Sequence, residues 1–157
     1  MRFFIFIVLF MTTSVVNATD NRHQVGEVLD ALHKRASTAD YEGYFSLYAP
    51  NATFIGTDAG EIWTVEAFKA YAKPHFDKGT GWTYLPRDRN IYFSPDENVA
   101  WFDELLDNEK LGVTRGTGVL IKVGALWKVS QYHLTIPIPN ALASDVANQI
   151  KAFKHNQ

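Results

Sequence analysis

Apolar side chains recur every three or four residues from Asn21 to Ala36. Val25, Val28, Leu29, Leu32 and Ala36 fall on one side of a predicted helix. Asp40 is a natural N-cap for a second, shorter helix carrying Tyr41, Tyr44, Phe45 and Tyr48, with Pro50 as its stop. Ala52 to Gly56 reads as a short strand, followed by the loop Thr57-Asp58-Ala59-Gly60. Thr64 caps a third helix with Val65, Phe68, Tyr71 and Ala72 on one stripe, ended by Pro74 and Gly79. From 82 to 139 the pattern is four strands in a row. The breaks between them are turn chemistry: Ser94-Pro95-Asp96-Glu97-Asn98, Asn108-Glu109-Lys110-Leu111-Gly112, and Gly124. Asn140 to Phe153 predicts a terminal helix, with Leu142, Val146, Ile150 and Phe153 in register. Lys151, Lys154 and His155 suit its negative end.

This order predicts an α+β fold. Its centre is a cone-shaped, curved antiparallel sheet, a four-strand meander plus one short strand. Three helices pack on its concave face. Side chains alternate along a strand, so hairpin register decides which of them face the cone. A hairpin turning at Asn108 to Leu111 sets Asp103 near Gly116 and Trp101 near Gly118. A turn at Gly124-Ala125 sets Gly118 near Tyr132 and Gly116 near Leu134. On this register the concave face carries Trp101, Asp103, Leu105, Gly116, Gly118, Leu120, Ser130, Tyr132, Leu134 and Ile136. The convex face carries Phe102, Glu104, Arg115, Thr117, Val119, Trp127, Val129, Gln131, His133 and Thr135.

At 157 residues the chain suffices for one domain with a real core. The net charge of −2 gives no reason to expect nucleic acid or an anionic membrane as partner. Arg2, the apolar run Phe3 to Met11 and the small-residue pattern Val16-Asn17-Ala18 read as a signal peptide over residues 1–18. Cleavage is expected after Ala18, leaving one domain over 19–157 in the periplasm or outside the cell, with no membrane contact after cleavage. With no cysteine, that domain has no disulfide framework and stands on its core.

Several segments carry a resemblance. They are Leu47-Tyr48-Ala49-Pro50-Asn51-Ala52-Thr53-Phe54, Trp101-Phe102-Asp103-Glu104, Arg115-Gly116-Thr117-Gly118-Val119 and the closing strand Trp127 to Thr135. Together with the element order they resemble the SnoaL-like branch of the nuclear transport factor 2-like superfamily, over roughly Val25 to Ala143. The resemblance implies a cone with a pocket. It does not fix a function, since that superfamily holds steroid isomerases, small dehydratases, epoxide hydrolases, polyketide cyclases and the association domain of calcium/calmodulin-dependent protein kinase II.

Two carboxyls are the catalytic candidates. Asp103, placed among Trp101, Leu105, Tyr132 and Leu134, has surroundings that favour a neutral acid suited to proton donation. The alternative is an Asp held by a tyrosine or a base for structure. Asp58 lies near the loop where the resemblance places the general base of steroid isomerases. Without gaps that base falls on Gly56, two residues away, and an ordinary turn Asp beside Gly60 is the competing reading. Tyr48, Phe54, Trp63, Trp101, Tyr132 and Leu134 are the expected pocket walls. Arg87 and Arg89 suit either an anionic substrate or structural pairing, including a pair with Glu104; Arg115 opposite Glu104 reads as an ion pair. No two histidines share metal-ligand spacing on one element, so neither a metal nor another cofactor is expected.

Two functions remain open. One is a small-molecule pocket, with cofactor-free isomerase, dehydratase or cyclase-type lyase chemistry. The other is a non-catalytic dimeric binding or assembly module. In both, a homodimer is expected through the convex sheet face, with Trp127 at its centre.

Overall fold

The computed structural model describes residues 16–155. The expected signal peptide lies, through residue 15, outside the described residues. Helix α1 (Val16–Ser37) is followed by α2 (Tyr41–Ser46), β1 (Tyr48–Ile55), β2 (Ile62–Thr64) and α3 (Val65–Phe76). Strands β3 (Leu85–Phe93), β4 (Val99–Asn108), β5 (Gly112–Val123) and β6 (Leu126–Thr135) form the meander. A short 3-10 turn (Asn140–Leu142) leads into α4 (Ala143–His155).

The strands form one curved, open sheet in the order β2-β1-β6-β5-β4-β3. The meander is antiparallel, as expected. The sheet has six strands rather than five, and it is mixed, because β1 runs parallel to β6. Helix α3 and the loop 77–84 lie between the β1-β2 edge pair and the meander, so β1 can enter beside β6 in either direction.

Local chemistry explains most element ends. The Asp40 side chain accepts from the Gly43 amide and starts α2; the Thr64 hydroxyl accepts from the Ala67 amide and starts α3. Pro50 does not stop the helix. It sits inside β1 where the register with β6 is irregular, between Tyr48 and Thr53, so its missing donor breaks no regular ladder. Pro74 is in the last turn of α3 rather than beyond it.

The helices cover one face of the sheet. Val25, Leu29, Leu32 and Ala36 of α1 and Val65, Phe68, Ala72 and Phe76 of α3 are buried against it. Full burial of side chains of this kind stabilises the fold by about 1.5–3 kcal/mol each for the larger ones. Helix α4 fully buries none of its described side chains, and Ile150 and Phe153 are in the solvent. No described helix is long and apolar enough to cross a membrane.

The face assignment from sequence is corrected in two places. The β4–β5 turn is one residue longer than expected, because Asn108 pairs with Gly112. The Asn108 side chain accepts from the Lys110 and Leu111 amides, at 3.1 and 2.9 Å, and Gly112 takes φ +71°. That single residue reverses β4. Glu104 now pairs with Gly116 and Phe102 with Gly118, and both point into the core. Trp101, Asp103 and Leu105 lie on the opposite face.

The second correction is a bulge in the β5–β6 pairing after Val119, which leaves Ser130 between the partners Val129 and Gln131. Tyr132 and Leu134 keep the inner position expected of them. Trp127 and Val129, expected outside, are buried. Arg115 is exposed opposite Leu105, so the expected Arg115–Glu104 pair does not form.

Candidate functional site

A cavity of about 210 Å³ opens between the covered sheet face and the helices. Its inner end is built by α1 and β6. His33 lies one helical turn beyond Leu29, so it shares the buried stripe of α1 and reaches the sheet. Its Nε2 is 2.7 Å from Glu104 Oε1. Arg89 Nε donates to the other Glu104 oxygen, also at 2.7 Å. Arg89 Nη1 donates to Asp30 Oδ1 at 2.7 Å and to the Gly26 carbonyl at 3.2 Å. Glu104 is wholly buried, and a carboxylate there requires such partners. With Oε1 accepting, Nε2 donates, and Nδ1 makes no hydrogen bond among the described residues.

Tyr132 stands beside this pair, its ring 6.4 Å from that of His33 and edge-on to it. Its hydroxyl makes no hydrogen bond among the described residues. Burial, and after it the charge of Glu104, raises its pKa well above the ordinary tyrosine value, so it remains a proton donor. Gly116 makes this arrangement possible. A methyl group there would stand 2.5 Å from the Tyr132 hydroxyl and 3.2 Å from Glu104 Oε1. Tyr44 on the wall and Tyr48 behind it share a 2.8 Å hydrogen bond between their hydroxyls, and burial raises both pKa values.

The walls are aromatic, and several rings share one orientation. Phe54 lies within 16° of parallel to Phe68, Trp63 and Tyr132. Tyr71 stacks on Trp63 with centroids 4.8 Å apart. Parallel faces of this kind suit a flat ring between or beside them.

The outer end is formed by the β1–β2 loop and carries a second carboxylate, Glu61. The loop closes through Gly56 N–H to the Glu61 carbonyl, 2.8 Å, and Glu61 N–H to the Asp58 carbonyl, 3.0 Å. The Glu61 side chain then folds into the space that a side chain on Gly56 would take. Gly56 is the position where the resemblance placed a general base. A carboxylate thus reaches that space from a different residue.

The sequence candidates divide accordingly. Phe54, Trp63, Tyr132 and Leu134 line the cavity. Tyr48 is buried behind Tyr44 and lies outside the lining. Trp101 is on the opposite sheet face, 45% exposed, stacked on Tyr92 at 6.0 Å. Asp103 is on that face too and accepts from the Asn90 side chain at 3.2 Å. Asp58 turns its Oδ1 to the Gly60 amide at 2.8 Å, an Asx turn.

Sequence reasoning missed His33, Glu104 and Glu61. The signal for His33 was present, since position 33 completes the stripe of 25, 29, 32 and 36. For Glu104 it was the alternation Ala100, Phe102, Leu106, which competes with Trp101, Leu105 on the other parity. Among the described residues, no three of His, Cys, Asp and Glu cluster as a metal site.

A sequence model of the SnoaL-like domain matches residues 25–139. Solved structures share the fold at low identity. One is an NTF2-like protein of unknown function from Pseudomonas putida KT2440, with 13% identity and a TM-score of 0.67. The match covers 78% of this chain and 91% of that one. A second, from Streptomyces avermitilis, is provisionally named a dehydratase of the NTF2-like family. It has 11% identity, a TM-score of 0.65, and coverage of 77% and 99%. A third, from Novosphingobium aromaticivorans, is provisionally named a scytalone dehydratase. It has 13% identity, a TM-score of 0.62, and coverage of 76% and 89%. No curated protein matches the chain.

Proposed function

The chain belongs to the SnoaL-like domain family, and on that premise we propose that its cavity binds one small, flat, partly aromatic molecule and transfers a proton on it without a cofactor. The observation that carries this reading is the pairing of His33, held from behind by Glu104, with the unbonded Tyr132 hydroxyl at the inner end of an aromatic cavity. The names of the Streptomyces and Novosphingobium structures point the same way.

The chemistry is that of carbon acids. His33 Nδ1 takes a proton from a carbon beside a carbonyl. The Tyr132 hydroxyl donates to the carbonyl oxygen as it gains charge. Glu104 holds His33 in the tautomer that leaves Nδ1 free, and Arg89 holds Glu104; both are positioning residues. Return of the proton to another carbon gives an isomerase. Loss of a neighbouring hydroxyl, which leaves as water with the proton from His33, gives a dehydratase.

Deuterium uptake tests the reading. A flat cyclic ketone such as tetralone, incubated with the protein in deuterium oxide, is expected to exchange its acidic C–H faster than in buffer, and His33→Gln is expected to abolish the gain. A ketone that binds without added exchange contradicts catalysis and favours a binding module.

A second copy of the chain is the partner proposed for the uncovered sheet face. Tyr92 and Trp101, each 45% exposed, stack there as an apolar centre. The seam moves from Trp127, which is buried in the core, to Trp101.

A further inference from the structure

The charge of the cavity is one-sided. Half of its lining residues are Phe, Tyr or Trp, and the lining contains neither Lys nor Arg. Arg89 is already engaged by Glu104 and Asp30. Glu61 is held over the outer end by its own loop: Asp58 N–H donates to Oε2 at 3.2 Å, and the bare Gly56 leaves the room. Its Oε1 makes no hydrogen bond among the described residues.

A carboxylate entering this space sheds water, meets no lysine or arginine and faces Glu61. An ammonium group meets Glu61 and the faces of rings such as Trp63 and Tyr71, which attract cations. We propose that the cavity selects by charge: it takes a flat aromatic molecule bearing a cationic amine and rejects the matching carboxylate, with Glu61 as the anchor. This rests on the reading of the cavity as an aromatic ligand site, and it adds the substrate class.

Three probes of one shape test it: naphthylmethanol, naphthylmethylammonium and naphthoate, titrated by calorimetry into the mature protein. The ammonium probe is expected to bind about tenfold more tightly than the alcohol. The naphthoate is expected to bind most weakly. Glu61→Gln should erase the difference between ammonium and alcohol. Gly56→Ala, which displaces the carboxylate, should reduce the same preference. Equal affinity for all three, tightest binding of naphthoate, or a preference that survives Glu61→Gln overturns the proposal. If the alcohol binds without charge preference, only this inference fails. If none of the three binds, the aromatic-site reading fails with it.

Discussion

Glu104 Oε1 lies 2.7 Å from His33 Nε2, joining the middle of β4 to the fifth turn of α1 at the inner end of the cavity. The two residues are 71 positions apart, and neither is placed by local propensity alone. Arg89 completes the cluster from the edge strand β3. The cluster is therefore both a tie between layers and the polar backing of the cavity's inner end.

Breaking that tie has a large expected cost. Glu104→Gln leaves Arg89 with one carboxylate fewer in a mostly buried setting. Removal of one partner from a buried pair costs about 3–5 kcal/mol. Urea denaturation should show a loss of about that size, and a loss under about 1 kcal/mol contradicts the assignment.

Gly116→Ala tests the space between Tyr132 and Glu104. The added methyl stands 2.5 Å from the hydroxyl oxygen, so the phenol or the strand must move. Overpacking of this kind costs about 1–3 kcal/mol. Ligand affinity should fall with it. Unchanged melting and unchanged binding would show that Tyr132 does not occupy this place.

The sheet faces give opposite outcomes for two tryptophans. Trp101→Glu is expected to yield a folded monomer, read by light scattering. Trp127→Glu buries a charge where the ring is only 3% exposed, and it should unfold the protein. A monomeric unmutated protein contradicts the dimer proposal.

Why the sequence named Trp127 and Asp103 for roles their positions do not support comes down to two residues. The helices, caps and four meander strands were legible, since spacing and turn chemistry are local; β2 and the start of β1 at Tyr48 were not. So were Phe54, Trp63, Tyr132 and Leu134 as cavity walls. Register was not. The extra residue held by the Asn108 side chain, and the bulge at Ser130, each invert a run of side chains. His33 needed the helix stripe read through a polar residue. Glu61 needed the loop closure at Gly56, which no spacing rule supplies.

Alkaline pH offers a further test. Burial raises the pKa of Tyr44, Tyr48 and Tyr132 above the ordinary value of 10.0. The folded state therefore holds these protons where the unfolded chain releases them. Their contribution to stability is complete below the unfolded value and declines as pH rises through the folded ones. Phenolate absorbance should show three of the seven tyrosines appearing only with unfolding. Uniform titration near the ordinary value contradicts their burial.

The N-terminal expectation is checked by mass. Export from a bacterial host should give a protein beginning at Thr19, as Arg2, Phe3 to Met11 and Val16-Asn17-Ala18 imply. A mature chain that keeps Phe3 to Met11 contradicts it.

The most direct test of the central claim is an NMR titration of the mature protein with naphthylmethanol, with amide and side-chain resonances assigned. The account predicts saturable shifts at His33, Phe54, Trp63 and Tyr132, the last two from opposite ends of the cavity. Shifts confined to Tyr92, Trp101 and Asp103 on the uncovered sheet face would contradict it.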